Sequence, residues 1–243
     1  SIIIVNNETG TIQQMEEISA IRDSKNPQAV IHADAVQAYG KIPLNPSRAG
    51  IGLMSVSAHK IHGPKGTGAL YASGKIKLKP LFYGGGQETL LRSGTENVPG
   101  IAGFGLAAKM TFEKLDENYR KVAQLKKNFI ELLEGSGICF KVVSPDDGLP
   151  YILNISFDNV KAEVLLHHLE QKKIFVSTGS ACSSRKNIRS HVLAAMGVPP
   201  EAAMGSIRFS FSGFNTPEEI KYTVEALKEI IPVIEINKKQ KRR

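Results

Sequence analysis

Residues 55–71 read SVSAHKIHGPKGTGALY and join two apolar, β-rich runs, Leu53–Ser57 and Gly68–Ala72. The glycines suggest a phosphate-binding loop, but they lack the G-x-x-x-x-G-K-[ST] spacing and lead into a second strand rather than a helix. We therefore predict a turn between two strands. His59 and His62 could share a metal on a helix, but they follow a strand and precede Gly63-Pro64, so no helix is expected there. No third ligand lies nearby in the sequence, and no metal site is predicted.

The runs around this segment alternate between strand and helix patterns. Apolar, β-rich runs also occur at residues 1–5 and 29–33, and residues 14–24 between them have helical spacing, with one stripe formed by Met15, Ile18 and Ile21. Near-continuous apolar strands separated by helices are typical of a parallel sheet covered on both faces. The first part of the chain is therefore predicted to be an α/β domain with a mainly parallel sheet.

A long helical pattern follows, from residue 100 to residue 133. Apolar residues recur on one face of it, namely Leu106, Met110, Leu115, Val122, Leu125, Phe129 and Leu132. Short strand and helix patterns follow at residues 138–143, 151–157, 162–171, 174–177 and 207–211, and a last helix begins after the cap residue Thr216. We predict two domains, residues 1–114 and residues 115–243, the second a smaller α+β domain with a basic tail.

Composition and charge narrow the possible partners. Apolar residues make up 42% and charged residues 22% of the 243 residues, as in soluble globular proteins, and the apolar runs are too short to span a bilayer. The start, SIIIVNN, has no signal-peptide pattern. The formal net charge is +8, but residues 238–243, KKQKRR, carry five basic groups, which leaves about +3 elsewhere. We expect a solvated tail on a cytoplasmic protein with no membrane partner and no direct nucleic-acid contacts.

The two cysteines lie in different settings. Cys139 stands in the apolar run ICFKVV and is predicted to be a buried thiol, whereas Cys182 stands in STGSACSS, which predicts an exposed loop. Two cysteines do not make a disulfide framework in a chain of this size.

Lys60 and Asp34 each follow an apolar strand pattern, and in open α/β sheets ligands bind at the carboxyl ends of strands. The carboxylate that ends the run AVIHAD is costly to bury unless it pairs with a cation. A lysine and an acid so placed suit pyridoxal phosphate (PLP), because the lysine binds the aldehyde covalently and the acid keeps the pyridine nitrogen protonated. Ser57 and His59 can donate hydrogen bonds to the cofactor phosphate. Taken alone, each of these residues is more often structural: Lys60 a surface lysine, Ser57 a strand-end hydroxyl and His59 a turn histidine.

Seven motifs occur in a fixed order along the chain: VNNETG, HADAVQAYGK, SAHKIHGPKGTGALY, GGGQE, RSGTENVPGIAGF, STGSACSS and SIRFSFS. In this order they resemble the class I cysteine desulfurases of the NifS/IscS group, which are fold-type I PLP enzymes of the class V aminotransferase superfamily. The resemblance extends from residue 2 to about residue 231. It implies the incomplete large PLP-binding domain of that fold, followed by its small C-terminal domain.

The resemblance implies a role for each matching residue near the cofactor. Lys60 would hold PLP covalently, Asp34 would pair with the pyridinium nitrogen, and Gln37 would hydrogen-bond the phenolic oxygen of the ring. Ser57 and His59 would bind the phosphate.

Three further residues are implied by the same resemblance. Thr95 in RSGTEN would reach the phosphate of the partner subunit's cofactor, which implies a homodimer with its active sites at the interface. Asn7 would bind the cofactor and, with Arg208, would hold the substrate carboxylate. The forked guanidinium of Arg208 suits that geometry.

Cys182 would be the catalytic nucleophile together with Lys60 as the cofactor lysine. Its thiolate would attack the sulfur of bound L-cysteine, which would release L-alanine and leave a persulfide on the enzyme. The sulfur would pass to an iron–sulfur scaffold or to another acceptor protein, for iron–sulfur cluster assembly or tRNA thiolation. The small residues around Cys182 fit an adaptable loop.

The main departure from the family is at the start of the chain. Members carry a further segment before the VNNE strand, with a Gly-Ala-Thr phosphate turn and a histidine over the PLP ring, and neither is found here. We therefore expect that these 243 residues alone do not turn over cysteine efficiently. Open alternatives are a related PLP enzyme, such as a selenocysteine lyase or an aminotransferase, and a catalytically incomplete fragment that serves as an interaction module.

Overall fold

The computed structural model describes residues 1–178 and 190–235, and the chain forms two compact units. The first unit consists of Ser1–Val5 and Gln13–Leu115, and the second contains Asn6–Ile12 together with the chain from Asp116 onward. The sequence-based boundary after residue 114 lies one residue before the end of the first unit, and Asn6–Ile12 belongs to the second unit.

The first unit contains a four-stranded sheet in the order β1-β2-β3-β4. Strands β1 (Ile2–Ile3), β2 (His32–Asp34) and β3 (Leu53–Ser57) are parallel, and β4 (Gly68–Ala72) is antiparallel to β3. The predicted mainly parallel sheet is therefore confirmed, although β1 and β2 are shorter than their apolar runs. The parallel pairing places the carboxyl ends of β2 and β3 at one edge of the sheet.

The α-helices between residues 15 and 134 differ from the helices that the apolar periodicity predicted. Helix α1 (Met15–Lys25) buries Met15, but Ile21 is 62% exposed, so the predicted stripe is wrong at its end. The single helix predicted from residue 100 is in fact two helices, α2 (Val98–Glu113) and α3 (Leu115–Glu134). The break lies at Lys114, whose N–H group bonds to the Thr111 carbonyl, so the last turn of α2 tightens and ends.

The apolar residues of α2 and α3 do not form one stripe. In α3 the residues Leu115, Val122, Leu125 and Phe129 are buried, as predicted. In α2, Leu106 and Met110 are each 59% exposed, so the predicted stripe is wrong in this helix. Leu133, not Leu132, completes the buried face of α3.

The second unit contains an antiparallel sheet in the order β5-β6-β8-β7. Its strands are β5 (Phe140–Val142), β6 (Ile152–Phe157), β7 (Ser177–Thr178) and β8 (Ser206–Ser210), and every residue of β6 is buried. Helix α4 (Ala162–Gln171) has the predicted bounds, and the short helices α5 (His191–Ala195) and α6 (Pro200–Met204) precede β8. The strand predicted at residues 174–177 is mostly wrong, because the Ile174 N–H group bonds to the Leu169 carbonyl in the turn that ends α4.

Cys139 is exposed, so the prediction of a buried thiol is wrong. It precedes β5, an edge strand that pairs only with β6 in the described sheet. Side chains alternate along a strand, and Cys139 shares a face with Lys141, which is also exposed, while Phe140 and Val142 face the other way and are half-buried. The apolar residues next to Cys139 therefore cover one face of an edge strand, and the strand is not buried on both faces.

Helix α7 (Pro217–Ile234) begins at the predicted cap residue, Thr216. The Thr216 hydroxyl accepts the Glu219 N–H group at 3.4 Å, and the Glu219 carboxylate accepts the Thr216 N–H group at 3.1 Å, which forms a capping box. Hydrogen bonds from the Asn215 side chain and the Thr216 backbone lower the pKa of Glu219. Along the described chain, neither α7 nor any other helix has the length and apolar content needed to cross a membrane.

The capping box gives the first prediction. Thr216→Ala is expected to lower the free energy of unfolding by about 1 kcal/mol, because the first turn of α7 loses a side-chain acceptor. Thr223→Ala is the matched control, since the Thr223 hydroxyl bonds within the same helix and is exposed. Urea unfolding followed by circular dichroism measures both variants. Equal losses in the two variants would show that the cap contributes nothing of its own.

Candidate functional site

Asp34 and Lys60 both lie at the carboxyl-terminal edge of the parallel strands in the first unit. Asp34 is the last residue of β2 and pairs in register with Ser55 of β3, and the Ala35 N–H group bonds to the Ser55 carbonyl at 2.9 Å. Lys60 lies in the one-turn 3₁₀ helix Ala58–Ile61, which directly follows β3. This edge is where open α/β sheets bind their ligands.

The carboxylate of Asp34 is half-buried and held in a defined orientation. One of its oxygens, Oδ1, accepts the Val36 N–H group at 2.9 Å. Within the described residues it has no ion pair with a lysine, arginine or histidine. A carboxylate that is partly withdrawn from water without a cation favours a positively charged ligand group at this place.

Gln37 lies in the turn after Asp34 and is buried. Its side-chain oxygen accepts a hydrogen bond from the Lys41 ammonium at 3.2 Å. The amide oxygen is thus engaged by Lys41, which orients the amide NH₂ group as the donor end of the side chain.

The 3₁₀ turn after β3 presents three polar side chains on an apolar base. The Ser57 hydroxyl and the His59 Nδ1 atom are hydrogen-bonded at 2.8 Å. Ala58 and Ile61 face inward and pack with Phe104 of α2, which fixes the turn. Lys60 is half-buried, and its ammonium makes no hydrogen bond or ion pair with the part of the chain that the structure describes. The amine of Lys60 is therefore available to a ligand.

The same turn determines the positions of His59 and His62. The sequence predicted that no helix joins His59 and His62, but residues 58–61 form a single 3₁₀ turn, and His62 ends it with a φ of 65°. Partial burial lowers the pKa of His62, and the cation of Lys41 lowers it further. Among the residues with described positions, no group of three His, Cys, Asp or Glu side chains could hold a metal ion.

The glycine-rich segment forms the hairpin between β3 and β4, as predicted. Gly68 pairs with Ser57, and a Cβ atom at Gly68 would lie 2.7 Å from the Val56 carbonyl oxygen. Gly66 adopts a φ of 78° in the tip of the hairpin. These glycines therefore serve a tight turn and a close backbone approach.

Arg208 and Asn7 come together in the second unit. Arg208 lies in β8 opposite Asn154 of β6 on one side and Ser177 of β7 on the other. Its Nη1 donates to the Asn7 carbonyl at 2.9 Å, and its Nη2 donates to the Ser177 hydroxyl at 3.0 Å. The guanidinium is thus oriented by two oxygen atoms from different elements.

The remaining candidate residues are less constrained. Thr95 is exposed in the loop just before α2, whose first turn is capped by the Asn97 side chain at 3.1 Å from the Gly100 N–H group. Cys182 and the basic tail at residues 238–243 lie outside the described residues. The structure groups Asp34, Gln37, Ser57, His59, Lys60 and Thr95 in the first unit and Asn7 with Arg208 in the second.

Glu8 and Asn154 are buried polar residues that the sequence analysis missed. Glu8 follows Asn7 in the VNNETG turn, and Asn154 interrupts the apolar strand YILNISF. A polar residue within an otherwise apolar strand pattern could have predicted that the Asn154 side chain is buried and hydrogen-bonded, since a fully buried amide requires partners. Nothing local in the sequence indicated that Glu8 would be buried.

The sequence profile described as "Aminotransferase class-V" matches residues 1–223. The chain belongs to the aminotransferase class-V family. Among its relatives in this family, the protein named "Putative cysteine desulfurase IscS 1" from Bacillus subtilis is 42% identical over 95% of this chain and 61% of its own length. "Cysteine desulfurase IscS" from Dictyoglomus turgidum is 43% identical over 95% of this chain and 58% of its own length.

Solved structures agree with this class-V assignment. A structure titled "NIFS-LIKE PROTEIN" has a TM-score of 0.87 and 38% identity, and it matches 95% of this chain and 60% of its own. A NifS-like protein from Rickettsia africae has a TM-score of 0.86 at the same identity. The fold is therefore that of the fold-type I PLP enzymes. The chain spans about three-fifths of the length of these relatives, 58 to 61% in each case.

Class-V aminotransferases and the cysteine desulfurases among them are PLP-dependent, and the residues of the first unit fit that cofactor. The carboxylate of Asp34 has no cationic partner, and the amine of Lys60 has no partner, within the described residues. The two groups lie at the same edge of the parallel sheet, beside the hydrogen-bonded pair Ser57 and His59. A carboxylate, an amine and hydrogen-bond donors, which are the groups that PLP requires, are thus present in one unit.

Proposed function

We propose that this chain belongs to a PLP-dependent cysteine desulfurase, which removes sulfur from L-cysteine and gives L-alanine and a persulfide on Cys182. The observation that carries the proposal is the placement of Asp34 and Lys60, without partners among the described residues, at the carboxyl ends of neighbouring parallel strands. The relatives that match 95% of this chain at 42 to 43% identity are named cysteine desulfurases, which supports this reaction over others of the family.

In this proposal the first unit is the C-terminal portion of the large PLP-binding domain, and the second is the small domain with the cysteine segment and basic tail. The amine of Lys60 would hold the cofactor covalently, and the carboxylate of Asp34 would keep a proton on the ring nitrogen. The amide NH₂ of Gln37 would donate to the ring oxygen, and Ser57 and His59 would donate to the phosphate. When bound, PLP supplies an electron sink that makes the carbon–sulfur bond of cysteine breakable.

The second unit would hold and attack the substrate. The guanidinium of Arg208 binds the carboxylate of L-cysteine, and Asn7 lies beside it. The thiolate of Cys182 forms a bond to the substrate sulfur while the carbon–sulfur bond breaks. The bonding electrons stay with carbon, which takes up a proton and leaves as L-alanine. Because the sulfur must then leave the enzyme, an acceptor protein such as an iron–sulfur scaffold is part of the proposal.

The proposal extends to assembly and location. Thr95 lies exposed before α2, where it is free to reach a second copy, and we propose a homodimer in which it contacts the partner's cofactor phosphate. We further propose that the enzyme acts in the cytoplasm.

The test uses the complete gene product loaded with PLP. With L-cysteine and a reductant, it is expected to release L-alanine and sulfide in equal amounts, because the reductant cleaves each persulfide as it forms. L-serine, which lacks the sulfur, serves as the control and gives no alanine. Transfer of the amino group to a keto acid without sulfide would identify an aminotransferase instead, and release from selenocysteine alone would identify a selenocysteine lyase.

A further inference from the structure

A buried polar network surrounds Asn154 in the second unit. Asn154 is 0% exposed, and its amide oxygen accepts the Ser206 hydroxyl at 2.7 Å. Its backbone N–H group donates to the Ser144 hydroxyl at 2.8 Å. Its amide nitrogen donates to the carbonyl of Glu8 at 3.2 Å, across 146 positions of sequence. Asn154 therefore ties the turn that contains Glu8 to the centre of the antiparallel sheet.

The carboxylate of Glu8 is the member of this network whose burial is least favourable for stability. Glu8 is 6% exposed, and its Oε2 accepts a hydrogen bond from the Ser190 hydroxyl at 2.5 Å. The same serine oxygen accepts the Leu193 N–H group and caps α5. A buried carboxylate costs stability unless it is hydrogen-bonded, and an apolar side chain would fill the same space without that cost. The acid at this position therefore calls for a role other than packing.

The turn that holds Glu8 is also the turn that orients Arg208. The Asn6 side chain accepts the N–H groups of Glu8 and Thr9 at 2.9 and 3.1 Å, which shapes the turn. The Leu149 N–H group bonds to the Gly10 carbonyl at 2.8 Å and fixes its far end. The Asn7 carbonyl, between these anchors, accepts Nη1 of Arg208 at 2.9 Å. Any shift of the turn would move the oxygen that holds the guanidinium.

We propose that Glu8 is a positioning residue for Arg208: its bond from Ser190 locks the turn, and the Asn7 carbonyl passes that constraint to the guanidinium. The inference rests on the proposed function, in which Arg208 binds the substrate carboxylate. Ser177 accepts a hydrogen bond from the other terminal nitrogen of Arg208. With the Glu8 turn fixed, the guanidinium therefore has one orientation. Glu8 then governs affinity for the carboxylate of L-cysteine rather than the breaking of the carbon–sulfur bond.

The kinetic test compares Glu8→Ala and Glu8→Gln in the complete PLP-loaded gene product. Glu8→Ala is expected to raise KM for L-cysteine about tenfold and to change kcat by less than about twofold, because a hydrogen bond that orients a charged group is lost. Glu8→Gln is expected to restore most of the affinity, because its amide oxygen can still accept from Ser190. Ser190→Ala should match Glu8→Ala, and the double variant should be no worse than either single one.

Cysteamine, which is cysteine without the carboxylate, separates positioning from general loss of structure. Its inhibition constant is expected to be the same in the wild type and in Glu8→Ala. Weakening of cysteamine and L-cysteine by the same factor would overturn the proposal. The control variant is Glu225→Ala, an exposed glutamate of α7 that pairs with Lys228, and it should change neither constant.

A second readout does not depend on turnover. In the wild type, the side-chain N–H signal of Arg208 in a nitrogen-15 NMR spectrum is expected to be sharp and shifted from that of a free guanidinium. It should move toward the free position in Glu8→Ala and not in Glu8→Gln. An unchanged Arg208 signal in Glu8→Ala would overturn the inference. A wild type that does not act on L-cysteine would defeat the proposed function alone, because the NMR comparison would still test the positioning.

Discussion

Lys60→Ala is expected to abolish the visible absorbance of the PLP-loaded protein and to reduce alanine release roughly 10³-fold or more. The ammonium of Lys60 makes no bond with other described residues, so the residue has no structural partner whose loss would explain such an effect. The turn that presents it is held by Ala58 and Ile61 packed against Phe104, which the substitution leaves unchanged. The fold should therefore persist while the covalent link to the cofactor disappears.

The measurement is an absorbance spectrum together with borohydride reduction and mass spectrometry of the Lys60 peptide. Lys65→Ala is the matched control, because Lys65 is exposed in the same hairpin, five positions along the chain. The control should keep the absorbance, and reduction should fix the cofactor on Lys60. Retention of the absorbance in Lys60→Ala, or attachment to another lysine, would contradict the assignment of the site.

Cys182→Ser is expected to reduce alanine release from L-cysteine about 10³-fold while leaving the PLP absorbance unchanged. A hydroxyl in this place cannot form the sulfur–sulfur bond, whereas Lys60 and Asp34, the proposed partners of the aldehyde and the ring nitrogen, lie in the first unit. This combination of lost turnover and intact cofactor distinguishes a nucleophile from a residue that maintains the fold.

Cys139→Ser supplies the control for Cys182→Ser. Cys139 is an exposed thiol at the edge strand of the second unit, outside every contact argued for the site. It should keep both alanine release and the absorbance. Equal losses in the two variants would mean that the chain responds to thiol removal in general, and normal turnover in Cys182→Ser would remove Cys182 from the mechanism.

Local patterns predicted the features that depend on neighbouring residues. The apolar runs around Asp34 and Lys60 indicated parallel strands, and the pairing of β2 with β3 confirms that the two residues lie at one sheet edge. The glycines after Lys60 predicted a hairpin, because a turn and a close backbone approach have few other solutions. The Thr216 capping box was equally readable, since cap and acid are three positions apart.

Features set by distant contacts could not be predicted from the sequence. The segment Asn6–Ile12 follows a strand of the first unit, yet its hydrogen bonds reach Leu149 and Asn154, so it belongs to the second. Glu8 is buried for the same reason, through a partner 182 positions away. The prediction of a buried Cys139 thiol was wrong because an apolar run does not reveal whether a strand lies at the edge of its sheet.

The most direct test follows the sulfur itself. The complete PLP-loaded gene product is incubated with sulfur-labelled L-cysteine in the absence of a reductant, and its peptides are analysed by mass spectrometry alongside the released alanine. One labelled sulfur is expected on the Cys182 peptide for each alanine formed, and none on Cys139. Alanine release with no label on Cys182, or label on Cys139 alone, would contradict the proposal that this chain carries the nucleophile of a cysteine desulfurase.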